Sequence, residues 1–248
     1  YCDSLYTNNN GKCHIEKRGT MEMNRSDYKK IIETYFPFWK HLSNQEQETL
    51  LQNISLVTYP KGTTIHNGNQ DCIGVLLVKS GTLRTYMLSE EGREITLYRL
   101  YKGDICILSA SCILQSITFD VQINAETDCE TIQISSAVFS ELSNHNVYVE
   151  NFSYQLAADR FSDVMWTMQQ ILFMSFDKRL AVFLDEELGK TEDDTIRLTH
   201  EQVAKYMGSA REVVSRMLKY FSDEGIVQLS RGGIRVIDKK KLHQISRT

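Results

Sequence analysis

No window of the 248-residue chain approaches the roughly 18 unbroken apolar residues of a membrane span. The opening residues YCDSLYTNNN lack the apolar centre of a secretory leader. These two absences predict a cytoplasmic protein with no membrane association. The six cysteines, at 2, 13, 72, 106, 112 and 129, include no C-x-x-C pair and no zinc-ligand spacing. Free thiols are therefore expected, without a structural metal or a disulfide framework. Between 56 and 135 there is one histidine, His66, whereas a metalloenzyme built on a β-barrel of the cupin kind needs two or three histidines and a carboxylate. An enzyme of that class is excluded. From 103 to 159 there is no lysine or arginine. The same stretch holds eight acids: Asp104, Asp120, Glu126, Asp128, Glu130, Glu141, Glu150 and Asp159.

Excess positive charge is missing overall, since the net charge is −4. The charge is unevenly placed, however. Residues 196–248 carry 11 Lys/Arg against 5 Asp/Glu, a net of +6, and residues 1–195 carry 17 against 27, a net of −10. An acidic front and a basic tail imply two units with different partners, the tail facing a polyanion. The first twenty residues are polar and aperiodic. They read as a disordered or non-native extension, "EKRGTM" being a translated ribosome-binding site and Met21 or Met23 the natural start.

Tyr28, Ile31, Ile32 and Tyr35, then Leu50, Leu51 and Ile54, have helical spacing over 26–53. From 56 to 135 the pattern changes to short alternating or β-branched runs, with glycines at 62, 68, 81, 92 and 103. Turns at that spacing predict an antiparallel β-roll, of the jelly-roll kind, or another sandwich. Residues 135–142 read as a short helix. Residues 147–175 contain no proline or glycine and predict a long one. Along it Tyr154, Ala157, Phe161, Val164, Met168, Ile171 and Ser175 follow steps of three and four, a heptad seam suited to pairing two helices. Phe152, Leu156 and Leu172 would also fit a helix packed on its own roll. A second helix is expected over about 176–189, followed by the acidic loop KTEDD.

The stretch EQVAKYMGSAREVVSRMLKYFSDEGIV, residues 201–227, reads as two helices joined at Gly208-Ser209. That is a helix-turn-helix, whose second helix enters the major groove. Thr199 with Gln202 and Ser209 with Glu212 have the spacing of capping boxes. Ala204, Met207, Val213, Val214, Met217 and Leu218 would form the core between the helices. Arg211, Glu212, Ser215 and Arg216 would face outward on the first turns of the second helix. Arginine offers two hydrogen bonds to guanine, glutamate accepts from cytosine, and serine does either. Lys219 and Arg231 are placed to meet phosphates. Singly, Glu212 could be no more than a cap and Arg216 no more than a solvated charge. Strands on either side of Arg231-Gly232-Gly233 predict a β-hairpin wing.

Together, YPKGTTIHNGN, GVLLVKSGTLRTYMLSEEGREITLYRLYKGD and LTHEQVAKYMGSAREVVSRMLKYFSDEGIVQLSRGGIRVID make the chain resemble Crp/Fnr-type bacterial transcription regulators over about residues 26–245. REVVSR satisfies both Arg-Glu-x-x-x-Arg and Glu-x-x-Ser-Arg, the recognition-helix patterns of two branches of that family. The resemblance implies an α+β fold: an N-terminal β-roll sensor, a long dimerisation helix and a C-terminal winged helix-turn-helix. It implies a homodimer on a palindromic double-stranded DNA site with half-sites near TGTGA or TTGAT, and RNA polymerase as a partner. It assigns Arg211, Glu212, Ser215 and Arg216 to bases and Thr199 and Ser209 to phosphates. A serine usual before the arginine is Ala210 here, which leaves one phosphate contact without its residue. The expected organisation is an extension over 1–25, a sensor over 26–146, a dimerisation helix over 147–176 and a DNA-binding domain over 177–248. A β-roll adaptor without specific DNA readout is the alternative, but it would not need the basic tail.

In the cyclic-AMP branch an arginine after the Gly-Glu turn neutralises the cyclic phosphate. Here the turn is Gly103-Asp104, and no cation follows before 160. A buried phosphate without a cation is poorly compensated, so the residues argue against cyclic AMP. Cys2 and Cys13 are too sparse for an iron–sulfur cluster. Haem stays open through His66, His145 and the cysteines. Cys106 and Cys112 flank Ser109 and Ser111 in CILSASC. They are either buried core thiols or a redox sensor, and the serine segment could bind a small carboxylate. The input is thus an unidentified small molecule or a redox change.

Overall fold

A computed structural model describes residues 24–67, 73–107 and 121–247. The expectations for the N-terminal extension and its start, and for Ser109, Ser111 and Cys112, lie outside the described residues.

The predicted helical segment at the front is broken in two. Helix α1 (Arg25–Tyr35) begins where the Asn24 side chain accepts from the Asp27 amide at 3.0 Å, and it stops before Pro37. A 3-10 turn (Pro37–His41) follows. Helix α2 (Asn44–Gln52) starts on a capping box formed by Ser43 and Glu46. Ile54 opens the first strand rather than closing the helix.

Among the described residues, eight strands then build two antiparallel sheets. They are β1 (Ile54–Tyr59), β2 (Thr64–His66), β3 (Val75–Ser80), β4 (Leu83–Leu88), β5 (Glu94–Leu100), β6 (Ile105–Cys106), β7 (Gln122–Ala125) and β8 (Cys129–Ile134). One sheet has the order β1-β8-β3-β6 and the other β2-β7-β4-β5. Side chains alternate as a pleated strand requires. Leu76 and Val78 of β3 and Cys106 of β6 point between the sheets, with Tyr98, Leu83 and Ile123 opposite. Val75, Leu77 and Ile105 point the other way, under Ile32, Phe36, Phe38 and Phe139 of the helical layer. Gly81 turns β3 into β4 at φ +84°, and a side chain there would strike the backbone at Asp128–Cys129.

Helix α3 (Ser136–His145) ends three residues beyond the predicted short helix, and α4 (Val147–Phe173) runs 27 residues. Its inner face lies along the roll. Phe152 and Leu156 reach the helical core, Val164 reaches the inter-sheet core, and the Thr167 hydroxyl donates to the Leu97 carbonyl at 2.9 Å. Of the seam predicted through Ala157, Val164 and Ile171, Val164 is taken by the roll and Ala157 is half-buried, while Ile171 stays exposed. Tyr154, Ala158, Phe161, Met165, Met168 and Leu172 form the stripe that faces outward. Its steps of four and three are those of a heptad. Tyr154, Phe161 and Met168 belong to both registers, but Val164 faces the chain's own roll.

Helix α5 (Phe176–Leu188) opens the C-terminal unit. It is followed by β9 (Thr195–Ile196), α6 (His200–Met207), α7 (Arg211–Asp223), β10 (Val227–Ser230), β11 (Gly233–Val236) and α8 (Lys239–Arg247). The hairpin β10–β11 is as predicted, with β9 as a third strand on it. Leu180, Leu184, Val203, Val214, Leu218, Phe221 and Leu242 are buried in one core. No helix among the described residues is long and apolar enough to cross a membrane.

Candidate nucleic-acid interface and its joint with the β-roll

The first helix of the candidate site is fixed at both ends. The Gln202 amide donates to Thr199 Oγ1 at 3.2 Å, and the Thr199 amide donates to Gln202 Oε1 at 2.8 Å, which completes the predicted capping box. At the other end Gly208 adopts a left-handed conformation, φ 58° and ψ 44°, and the Ser209 amide donates to the Ala204 carbonyl at 3.0 Å. That is a glycine C-cap leading straight into the next helix.

The second predicted capping box is absent. The N-cap of α7 is Ala210, which has no capping side chain, and Ser209 stands one position too early for its hydroxyl to reach the first turn. Val214, Leu218 and Phe221 are buried against α6, while Val213 and Met217 are only half-buried. Phe221, not singled out from sequence, takes the place expected for Val213. The opposite face carries Arg211, Glu212, Arg216 and Lys219, all exposed and without an ion-pair partner among the described residues. Ser215 departs from the expectation of an outward-facing side chain. It is half-buried, and its hydroxyl lies 2.9 Å from His200 Nδ1.

A groove of about 470 Å³ opens between the start of α6, the start of α7 and the tip of the hairpin. Thr199, His200, Arg211 and Arg231 line it, together with Arg197, which is held by both carboxylate oxygens of Asp193 at 2.9 and 2.5 Å. The N-terminus of α6 opens on this groove and adds partial positive charge from its unpaired amides. Arginines, a helix N-terminus and a glycine-tipped hairpin together suit a phosphate backbone.

The back of α6 docks on the second sheet of the roll. Thr96 Oγ1 donates to the Lys205 carbonyl at 3.2 Å, and the Arg93 guanidinium donates to the Gly208 carbonyl. Arg179 of α5 donates to the Met207 carbonyl at 2.5 Å. Three carbonyls at the helix end are thus met by side chains, two of them from the roll. The Tyr206 hydroxyl donates to Glu126, and the Arg99 guanidinium lies 4.4 Å from the Tyr206 ring centre. Burial, then the hydrogen bond to Glu126, pushes the Tyr206 phenol above its ordinary value. Arg84, nearly buried, pairs with Glu94 at 2.6 Å. A cleft of about 250 Å³ remains beside this joint, between β5, α4, α5 and α6, with Trp166, Phe183 and Arg179 on its walls.

A profile of the cyclic nucleotide-binding domain matches residues 56–146, and one of the Crp-like helix-turn-helix domain matches residues 178–245. The crystal structure of a Crp/Fnr-family protein from Eubacterium rectale is 48% identical to the chain. It covers 87% of this chain and 100% of its own, with a TM-score of 0.83. The chain belongs to the Crp/Fnr family. It is a DNA-binding transcription regulator of the kind that family comprises, and no enzymatic family is indicated. Among curated relatives, the cAMP-activated global transcriptional regulator CRP of Pasteurella multocida is 26% identical over 188 residues, 73% of this chain and 88% of that one. FixK2 from Bradyrhizobium japonicum shares the fold at 20% identity, a TM-score of 0.64 and coverage of 77% and 96%.

Beside the inner face of the roll the fold brings one cation that the 103–159 window missed by a single residue. Arg160 lies 5.0 Å over the Tyr98 ring, but it is already paired with Asp163 at 2.9 Å. Burial pushes the Tyr98 phenol well above its usual value, and the nearby Thr85 hydroxyl offsets little of that. His66 is buried, with no partner for Nδ1 among the described residues, whereas His145 Nδ1 sits on the Glu141 carbonyl at 2.8 Å. Cys106 is buried between the sheets.

Proposed function

We propose that the protein acts as a homodimer, paired through the outward stripe of α4, on a palindromic DNA site with TGTGA- or TTGAT-like half-sites. In this reading Arg211, Glu212, Ser215 and Arg216 meet base edges. Thr199, Ser209, Lys219 and Arg231 meet phosphates. The observation that carries it is the exposed, unpaired charge of Arg211, Glu212 and Arg216 on the first turns of α7, beside a groove lined by arginines. Charges left in solvent on one helix face cost nothing there and are satisfied on DNA.

RNA polymerase is the partner that such a regulator addresses once seated on DNA. The input enters at the roll as a small molecule or a thiol change near Cys106, rather than as a cyclic nucleotide. It shifts the population between two placements of the helix-turn-helix against β5. The test is selection of duplexes from a random pool by the full chain, followed by titration with cyclic AMP. A palindrome with half-sites of this kind, bound alike with and without cyclic AMP, supports the reading. Enrichment of no sequence, or micromolar cyclic AMP affinity, overturns its DNA half or its input half respectively.

A further inference from the structure

His200 and Ser215 come from different helices, and their contact is not used by the reading above. Several serines and threonines on the other helices of this protein donate back to the carbonyl four residues earlier: Thr34 to Lys30 at 2.7 Å, Ser153 to Val149 at 2.9 Å, Ser162 to Ala158 at 3.1 Å. That is the usual resting place for a hydroxyl on a helix. Ser215 instead lies 2.9 Å from His200 Nδ1. The hydroxyl is thus turned from its own helix to the imidazole on the first turn of α6, whose ring lines the groove.

A serine hydroxyl has one proton to give and two lone pairs to receive with. If the ring is neutral with its proton on Nε2, Nδ1 can only accept. Ser215 must then donate to it, and its free lone pairs face outward. Such a serine accepts from the amino groups of cytosine or adenine. If the ring is protonated, Nδ1 donates and Ser215 accepts. The serine proton is then released outward, where it can be given to guanine O6 or N7 or to thymine O4.

We propose that His200 is a specificity-determining residue of the DNA interface, setting by its own protonation whether Ser215 reads a base as acceptor or as donor. This rests on the reading of α7 as the recognition helix. His200 is a positioning residue here: it acts on the base through Ser215.

The surroundings place the switch on the acid side of neutrality. Arg211 from α7, Arg231 from the hairpin, Arg197 before α6 and Glu201 beside it on α6 are the charged groups around the groove that His200 lines. Three cations against two acids, Glu201 and the Asp193 that holds Arg197, still leave a net positive charge and disfavour another. Burial, then the charge of Arg211, holds the imidazole below its ordinary value of 6.5. Free protein at neutral pH, with the ring proton on Nε2, presents Ser215 as an acceptor. Phosphates of a bound duplex offset the arginines and bring the proton-bound form within reach at mildly acidic pH, so binding there takes up protons.

The experiment uses the full chain and four duplexes that differ only at the base pair facing Ser215, titrated at about pH 5.5 and pH 8. The readout is the ratio of affinities among the four at each pH. Wild type should shift that ratio by about fivefold, the worth of one hydrogen bond, from amino-bearing bases at high pH toward carbonyl-bearing bases at low pH. His200→Gln should remove the shift while specific binding persists, and Ser215→Ala should remove it as well. A ratio in the wild type that is the same at both pH values, with specific and Arg216-dependent binding intact, overturns this inference alone. So does a pH response that strengthens all four duplexes equally, which would make His200 a phosphate contact. Loss of all sequence preference at both pH values overturns the reading of α7, and this inference with it.

Discussion

Arg99 of β5 and Glu187 of α5, 88 residues apart, form a two-pronged ion pair across the joint between the roll and the DNA-binding unit. Nη1 donates to Oε2 at 3.2 Å and Nη2 donates to Oε1. Their side chains are only 13% and 10% exposed, and Lys190 adds a second cation to Glu187 at 2.7 Å. An ion pair this dry is a constraint on orientation more than a source of net stability, because the attraction is offset by the lost hydration of both charges.

Removing one partner should therefore hurt more than removing both. Glu187→Ala leaves Arg99 a buried unpaired charge and should cost the docked arrangement about 3 kcal/mol, roughly a hundredfold in its population, whereas Arg99→Ala leaves Glu187 to Lys190 alone and should cost less. The double replacement Arg99→Met with Glu187→Leu should lose far less. Hydrogen exchange of the α6 amides reads this directly. Equal losses in single and double variants would mean the two side chains do not share a buried contact.

The same pair sets an acid limit. Burial alone would raise the Glu187 carboxyl, but the hydrogen bonds and charge of Arg99, then Lys190, hold it below its ordinary value of 4.5. A group depressed on folding stabilises the joint fully above its unfolded value and loses that contribution as pH falls through the folded one. Docking should hold at pH above about 4.5 and loosen below it, followed by Trp166 fluorescence beside the cleft. In Glu187→Gln the pH dependence of that signal should flatten.

The two faces of α4 should respond to substitution differently. Phe161→Asp with Met168→Glu places charge on the outward stripe and should give a monomer by sedimentation without lowering the melting temperature of the roll. Val164→Ala cuts a contact with the inter-sheet core and should cost about 1 kcal/mol of stability while the protein stays dimeric. A monomer from Val164→Ala, and a dimer from the charged pair, would return the seam to the register first read from the sequence.

Gly208 couples the turn of the helix-turn-helix to the roll. A methyl group added there would come within 2.9 Å of Ile95 Cγ1, on a backbone at φ +58° that side chains rarely adopt. Gly208→Ala should cost about 1–2 kcal/mol from backbone strain, plus the clash. Ile95→Ala should recover the clash and leave the strain. Full recovery would show that the backbone conformation is not what requires glycine.

The boundary between what the sequence disclosed and what it withheld follows the distance over which each feature is decided. The Thr199 cap, the Gly208 turn and the hairpin around Gly232-Gly233 are local, so residue type and spacing were enough. The α4 seam was not, because Val164 and Met165, like Ile171 and Leu172, offer two apolar stripes at the same period. The choice depends on which one the roll covers. Helix α8 escaped notice because KKKLHQISR has two aliphatic residues, Leu242 and Ile245, and takes its helical fold from packing on α5. Arg160, the Arg99–Glu187 pair and the His200–Ser215 contact join segments that sequence spacing cannot relate.

Specific recognition by α7 is tested most directly by Arg216. Equilibrium titrations should compare wild type, Arg216→Ala and Lys219→Ala on a symmetric TGTGA- or TTGAT-containing duplex and on a scrambled duplex, across a range of salt. Arg216→Ala should lose about 1–3 kcal/mol per half-site on the symmetric duplex, with preference relaxed at one base pair and little change on the scrambled one. Lys219→Ala should weaken both duplexes alike and reduce the salt slope by about one. Equal losses on both duplexes from both substitutions would contradict base reading by this helix.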